Sequence, residues 1–490
     1  MENRLPRVVI AALRGGAGKT TLAIGLIAAW RERAGRVVPF KKGPDYIDAG
    51  WLALAAGQPC YNLDSFLMNE GQILDSFWER TRQAAGAVIE GNRGLYDGMD
   101  AAGTCSTAAL AKVLRAPVLL VMDATKMTRT AAAAVLGCQH FDAEVQIRGV
   151  ILNRIAGARH EKMLRTTIEQ HCGIPVVGAV PKVKEDTFPE RHMGLMTALE
   201  HPEARDAVLS RIRVVDKYID LDQVIALARQ APPLSWEWEG GLESRRVAKA
   251  YRQPIIGVIR DSAFQFYYPE NLEALEARGG ARVVEVNSLH DEELPALDAL
   301  YIGGGFPETH AERLAANRRF SESLRSAIEL GLPVYAECGG LMYLGRNLLV
   351  GDRTYPMVGV LPMDFKLMGR PQGHGYTVVE VVEPNPFYPV GLTLRGHEFH
   401  YSRVDDYDTS GLSMAFTMRR GIGILDGKDG VCYKNTLATY SHLHAVGSPE
   451  WAEGLVRAAL GHQRRKEMNL IQKKGNADPR ADAGAGDGVH

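Results

Sequence analysis

Short apolar runs separated by longer mixed stretches organise this chain, and their spacing reads as strands alternating with helices. The first, Val8-Val9-Ile10-Ala11-Ala12, reads as a buried strand. It breaks into a glycine-rich turn from Leu13 to Thr21 and gives way to a helical stretch over Leu22 to Trp30. Similar apolar runs follow at 36–40, 87–91, 117–123, 148–154 and 175–181. Such alternation predicts an α/β fold with a doubly wound, mostly parallel sheet. From Gln230 the pattern lapses into a turn-rich stretch holding Trp236 and Trp238, which are expected to lie against a domain surface. A second α/β alternation starts at Pro254, with apolar runs at 254–261, 299–302, 333–337 and 436–444. The expected division is a first domain over 1–230, a linker over 231–253, a second domain over 254–463 and a disordered tail over 464–490.

The first turn carries the clearest chemistry. Glycines at 15, 16 and 18 let successive backbone N–H groups face one anion, and a helix N-terminus adds positive potential. Lys19 is placed for the β- and γ-phosphates of a nucleotide triphosphate, Thr20 for magnesium, and Thr21 continues the nucleotide-binding set. Leu13 stands where such loops have their first glycine. Other candidates sit at the C-terminal ends of strands, where open parallel sheets place ligands. Asp45 and Asp48 follow Lys41 and Lys42, and either hold metal, position a substrate or cap the next helix. Glu90 is placed as a second magnesium contact, with Asp97 in the glycine-punctuated loop beyond it. Asn153 is placed either to bond a purine ring or to cap a helix.

In the second half, Ala-Glu-Cys338-Gly339-Gly340 joins a strand to a helix through a sharp turn, the form of a nucleophile elbow. The helix start is expected to lower the Cys338 pKa, and the Gly339 N–H to stabilise an oxyanion. Gly304, in the run Gly303-Gly304-Gly305, supplies the other half of that hole. His442 and His444 alternate on one expected strand, and either could be the base. His397 and His400 read as structural or substrate-side groups, not metal ligands. The aromatic stretch 262–272 either packs or flanks a flat ligand, with packing favoured.

Composition narrows the class. The chain has 490 residues, 46% hydrophobic and 23% charged, which suits a soluble globular protein of two or three domains. A net charge of −1 gives no bias toward nucleic acid or anionic membrane, and no apolar run is long enough to span a bilayer. Six scattered cysteines, without C-x-x-C and without a leader, predict reduced thiols in the cytoplasm.

Pro39-Phe40-Lys41-Lys42-Gly43-Pro44-Asp45-Tyr46-Ile47-Asp48, Glu90-Gly91 with Gly94-Leu95-Tyr96-Asp97-Gly98, Pro189-Glu190-Arg191-His192 and, in the second half, the stretches 396–402 and 436–444 resemble the cobyrinic acid a,c-diamide synthase family. The likeness runs over roughly residues 5 to 460. It implies a P-loop domain followed by a class I glutamine amidotransferase-like domain, with ATP, glutamine and a carboxylated tetrapyrrole as substrates. It further implies that Lys19 and Thr20 bind ATP and magnesium, that Asp45 and Glu90 help hold magnesium, and that Asp97 lies near the reacting carboxylate. His442 becomes the base for Cys338. Common triad amidotransferases have Glu two residues after that histidine. Here His444 stands there, so the third member is absent or comes from elsewhere. The activity implied is amidation of the a and c carboxylates of cobyrinate through acyl phosphates. Hydrogenobyrinate, a nickel sirohydrochlorin or sirohaem are alternative substrates. A different class also stands open: a switch ATPase with a vestigial amidotransferase domain, in which Arg14 acts across a homodimer.

Overall fold

The computed structural model describes residues 2–182, 190–191, 194–195, 197, 200–201, 203–235, 253–277, 280–408 and 410–475. Trp236, Trp238, Pro189, His192 and the tail beyond 475 lie outside them. The chain forms two compact units, Met1–Ser244 with Phe266–Glu270, and Arg245–Gln265 with Asn271–His490.

In the first unit the strands are β1 (Arg7–Ala12), β2 (Val37–Lys42), β3 (Tyr61–Leu63), β4 (Gly86–Glu90), β5 (Val118–Asp123), β6 (Ile147–Ile155) and β7 (Val176–Pro181). They form one seven-stranded sheet in the order β3-β2-β4-β1-β5-β6-β7, parallel throughout. Strands covered on both faces need apolar residues on both, which is why they read as unbroken runs. Helix α1 (Lys19–Ala34) is buried from Leu22 to Trp30, so it too is apolar all round. Two glycines make room for it. A Cβ on Gly86 would stand 2.4 Å from the Trp30 ring, and one on Gly25 would stand 2.6 Å from the Arg211 carbonyl.

The second unit is built on β8 (Ile255–Ile259), β9 (Arg282–Val286), β10 (Ala299–Ile302), β11 (Val334–Glu337), β12 (Gly373–Val381), β13 (Thr393–His400), β14 (Ser413–Arg420), β15 (Lys428–Tyr433), β16 (Thr436–Thr439) and β17 (His442–Leu443). Their order is β9-β8-β10-β11-β16-β15-β14-β12-β13-β17. The first five are parallel and the remainder antiparallel. β17 closes the far end of this sheet although only two residues separate it from β16, so the sheet must curl back on itself.

Two expectations change here, and one open alternative resolves toward packing. The strand expected over 436–444 is two strands. The buried Asp429 carboxylate accepts the Tyr440 N–H at 3.0 Å, the Ser441 N–H at 3.1 Å and the Thr439 hydroxyl at 2.6 Å, and turns the chain between them. Residues 464–475, expected to open a disordered tail, are helical instead, in α2 (Glu450–Gly475). Long polar side chains favour helix, and Lys466 anchors this one by donating to the Leu297 carbonyl at 3.0 Å and to Asp298 at 3.1 Å. The aromatic stretch packs, with Phe264, Phe266, Tyr267 and Tyr268 all buried.

Replacing Asp429 with Ala removes the acceptor of three buried N–H groups, those of Gly430, Tyr440 and Ser441, and of the Thr439 hydroxyl. The expected cost is about 3–5 kcal/mol. It is measured as a lowered unfolding midpoint.

Candidate active site

The phosphate loop runs from the end of β1 to the start of α1. Gly18 has φ +93°, and a Cβ there would stand 2.3 Å from Asn153 Nδ2. Gly15 and Gly16 are exposed and face open space, leaving the backbone accessible to an anion. Lys19 Nζ donates to the Arg93 carbonyl at 2.8 Å, and burial holds its pKa below the ordinary lysine value despite Glu90. Asp97 is exposed, accepts the Gly94 N–H at 2.9 Å and adds negative charge near Lys19. Asn153 Nδ2 donates to the Ala17 carbonyl at 3.0 Å. It does not cap the next helix, whose capping position is Gly157. It lines a cavity of about 480 Å³ together with Gly18, Thr21, Asp123 and Lys182.

Beside the loop lies a buried acid cluster. Thr20 donates its hydroxyl to Glu90 at 2.6 Å and stands 3.3 Å from Asp48. Lys41, at the end of β2, places its ammonium 2.6 Å from Asp48, 3.3 Å from Glu90 and 3.8 Å from Asp45. Burial alone would depress Lys41, but Asp48 and Glu90 outweigh it and the net shift is upward. Burial also pushes Glu90 up to about 7 and Asp45 up to about 6. Asp45 Oδ1 additionally accepts the Asp48 N–H at 3.0 Å, so it braces the chain at the next helix start. Among the described residues no three His, Cys, Asp or Glu side chains converge as a self-standing metal site. The hard oxygens of Thr20, Glu90 and Asp45 nevertheless fit magnesium, which commonly takes only one or two carboxylates and completes its shell with phosphate oxygens. Arg14 bonds Asp123 at 2.9 Å within its own unit, and Arg154 meets the same carboxylate at 2.8 Å.

The thiol site is made where β11 turns into the short helix Gly339–Leu344. Cys338 has φ +47°, a costly conformation for a residue with a Cβ. Its N–H donates to the Thr439 carbonyl at 2.8 Å. The expected lowering of its pKa is not found. Burial pushes the thiol up and Glu308 adds to the effect, outweighing the Gly339 N–H. The two glycine stretches meet, since a Cβ on Gly339 would stand 3.0 Å from the Gly305 nitrogen and 3.4 Å from the Gly304 carbonyl carbon. The Gly340 N–H donates to the Gly303 carbonyl at 3.1 Å.

The two histidines part company. His442 Nδ1 lies 3.2 Å from Glu337 Oε2, whereas His444 Nδ1 accepts the Val446 N–H at 3.3 Å. His397 stacks on His442 with ring centres 4.9 Å apart, and burial holds it well below the usual histidine range. His400 Nδ1 meets the Ser402 carbonyl at 2.8 Å, and its ring stacks on Tyr440. Glu337 was missing from the candidate residues. The signal for it was an acid closing an otherwise apolar strand, one residue before the thiol.

A phosphate loop on a parallel sheet, joined in one chain to a thiol elbow whose preceding Glu337 meets His442, defines a glutamine amidotransferase-type ligase. Residues 8–195 match the CobQ/CobB/MinD/ParA nucleotide binding domain, and 255–450 match the CobB/CobQ-like glutamine amidotransferase domain. A cobyrinate a,c-diamide synthase of Magnetococcus marinus is 44% identical, covering 93% of this chain and 98% of its own. That of Archaeoglobus fulgidus is 42% identical over 93% and 98%, and that of Salmonella typhimurium 37% over 94% and 99%. The chain belongs to the cobyrinate a,c-diamide synthase family.

Gly18→Ala combines a left-handed backbone with a clash on Asn153. ATP affinity is expected to fall at least ~10-fold, from strain of ~1–3 kcal/mol plus the displaced side chain. Calorimetric titration of the folded variant with nucleotide checks it.

Proposed function

We propose that this enzyme amidates the a and c side-chain carboxylates of cobyrinate, using ATP and glutamine, as its relatives' name implies. The observation that carries the reading is the presence, in one chain of that family, of a phosphate loop whose Thr20 meets Glu90 and a Cys338 elbow whose preceding Glu337 meets His442. In the first unit a substrate carboxylate oxygen attacks the γ-phosphorus of ATP, giving an acyl phosphate and ADP. Lys19 balances charge on the transferred group, and the loop N–H groups orient the phosphates. Magnesium, held by Thr20, Glu90 and Asp45, would supply further charge neutralisation there. Asp97 is assigned to positioning near the reacting carboxylate, and Asn153 and Thr21 to the nucleoside side of the loop.

In the second unit His442 takes the thiol proton as sulfur attacks the glutamine amide carbon. The Gly304 and Gly339 N–H groups receive the oxyanion. The amide nitrogen leaves as ammonia, water cleaves the thioester to glutamate, and ammonia displaces phosphate from the acyl phosphate. The raised thiol pKa means Cys338 starts protonated, so a base is required.

Among the described residues no helix is long and apolar enough to cross a membrane, and the six cysteines are free, which fits the cytoplasm. The switch-ATPase reading needs a homodimer with Arg14 reaching across, and the Arg14–Asp123 bond within one unit weighs against it. Product masses from a panel of carboxylated tetrapyrroles, incubated with ATP and glutamine, identify the substrate.

Two variants test the division of labour. Lys19→Ala is expected to abolish amidation with glutamine and with ammonium alike, and amidation near the wild-type rate would remove the loop from catalysis. Cys338→Ser is expected to lose glutamine-dependent amidation yet keep activity with high ammonium at raised pH. Loss of both in a folded protein would contradict the two-site mechanism.

A further inference from the structure

We propose that Glu337, the residue immediately before the nucleophile, is the positioning carboxylate of the thiol site, holding His442 through Nδ1 and leaving Nε2 as the base. This rests on the reading of Cys338 and His442 given above. The Glu337 side chain is fully buried, and both its oxygens are engaged. Oε1 accepts the Leu443 N–H at 3.2 Å. Oε2 accepts the Tyr301 hydroxyl at 3.0 Å and faces His442 Nδ1 at 3.2 Å. An ionised carboxylate only accepts, so the neutral imidazole facing it must carry its proton on Nδ1. Nε2 then holds the lone pair a base needs.

The surroundings keep the ring in place. His397 stacks on it at 20° between ring planes, and burial keeps that neighbour neutral. The segment after His442 is clamped as well. Asn271, itself buried, donates to the Leu443 carbonyl at 2.9 Å and accepts the Ala445 N–H at 2.7 Å. Because Glu337 is peptide-bonded to Cys338, nucleophile and base share one anchor, the end of β11. In turnover the thiol proton passes to Nε2, Glu337 stabilises the imidazolium, and the same proton passes to the departing amide nitrogen. This supplies from the strand what common triad enzymes place two residues after the histidine, a position where His444 instead accepts the Val446 N–H.

The test combines glutaminase kinetics of full-length Glu337→Gln and Glu337→Asp with nitrogen NMR of the His442 ring in the wild-type protein. The expected wild-type tautomer has hydrogen on Nδ1. Glu337→Gln should lower kcat ~10²-fold or more while the glutamine KM stays within about twofold, and Glu337→Asp should recover part of the loss. An unfolding transition with the wild-type midpoint and amplitude reports that each variant is folded in both units. Wild-type kcat in Glu337→Gln overturns the proposal, and so does an Nε2-protonated His442 in the wild type. The tautomer is read on the unmodified chain, so a variant that fails to fold does not leave the matter open. Cys338→Ser separates the two levels. Glutamine hydrolysis surviving in it removes the thiol site itself, whereas its loss beside an active Glu337→Gln removes only the role of Glu337.

Discussion

Where a buried parallel strand leads through a tight turn into a helix, the helix start has room for backbone and little else, and both chemistries of this protein are built on that constraint. After β1 the turn requires φ +93° at Gly18, with Asn153 against its α-carbon. After β11 it forces Cys338 to φ +47°, and the following glycines lie against neighbouring chain, where a Cβ on Gly340 would stand 2.6 Å from the Ile302 carbonyl. The return for this strain is access. Backbone N–H groups and one reactive side chain emerge at the carboxyl edge of a sheet, where open α/β folds bind ligands.

Charge in the two units is handled by different means. Around the phosphate loop Lys41 sits among Asp45, Asp48 and Glu90, so the buried cluster is partly neutralised before any ligand arrives. Unpaired, carboxylates so placed would carry a large desolvation cost. Burial still pushes Glu90 up to about 7, which marks a site that favours added positive charge. In the thiol unit the reacting group rests neutral. Its acids are spent on fixed hydrogen bonds: Asp429 on the 439–441 turn, and Glu398 on the N–H groups of Ile422 and Gly423.

Much of this was legible in the chain because it depends on local pattern. The parallel strands are apolar from end to end, and Lys19, Thr20, Glu90 and Cys338 all lie at or just beyond strand ends, where the motif and the run of apolar residues can be read together. The edge strand Tyr61–Leu63 was not, being too short to show a period. Helix beyond 464 was missed because a solvated helix has no apolar stripe to show. The break at Tyr440-Ser441 depends on Asp429, whose role exists only once β15 and β16 pair. The direction of the Cys338 shift was misread for a similar reason. A helix start is visible in sequence, whereas burial and the approach of Glu308 are tertiary.

Glu337 combines these themes, because one carboxylate acts in opposite senses on the two groups beside it. Toward His442 its charge favours the protonated ring, which is the state the imidazole must reach when it accepts the thiol proton. Toward Cys338 the same charge disfavours thiolate, adding to the effect of burial. Without substrate these influences oppose each other, and burial keeps the thiol protonated. In the proposed mechanism, as sulfur gives up its proton and attacks a glutamine amide, the developing negative charge comes to rest on an oxygen facing the Gly339 N–H. The repulsion is then relieved while the stabilisation of imidazolium remains. The arrangement therefore favours the tetrahedral state over the free ion pair, which is the condition for catalysis by differential binding. It also limits adventitious reaction of a thiolate when no glutamine is bound.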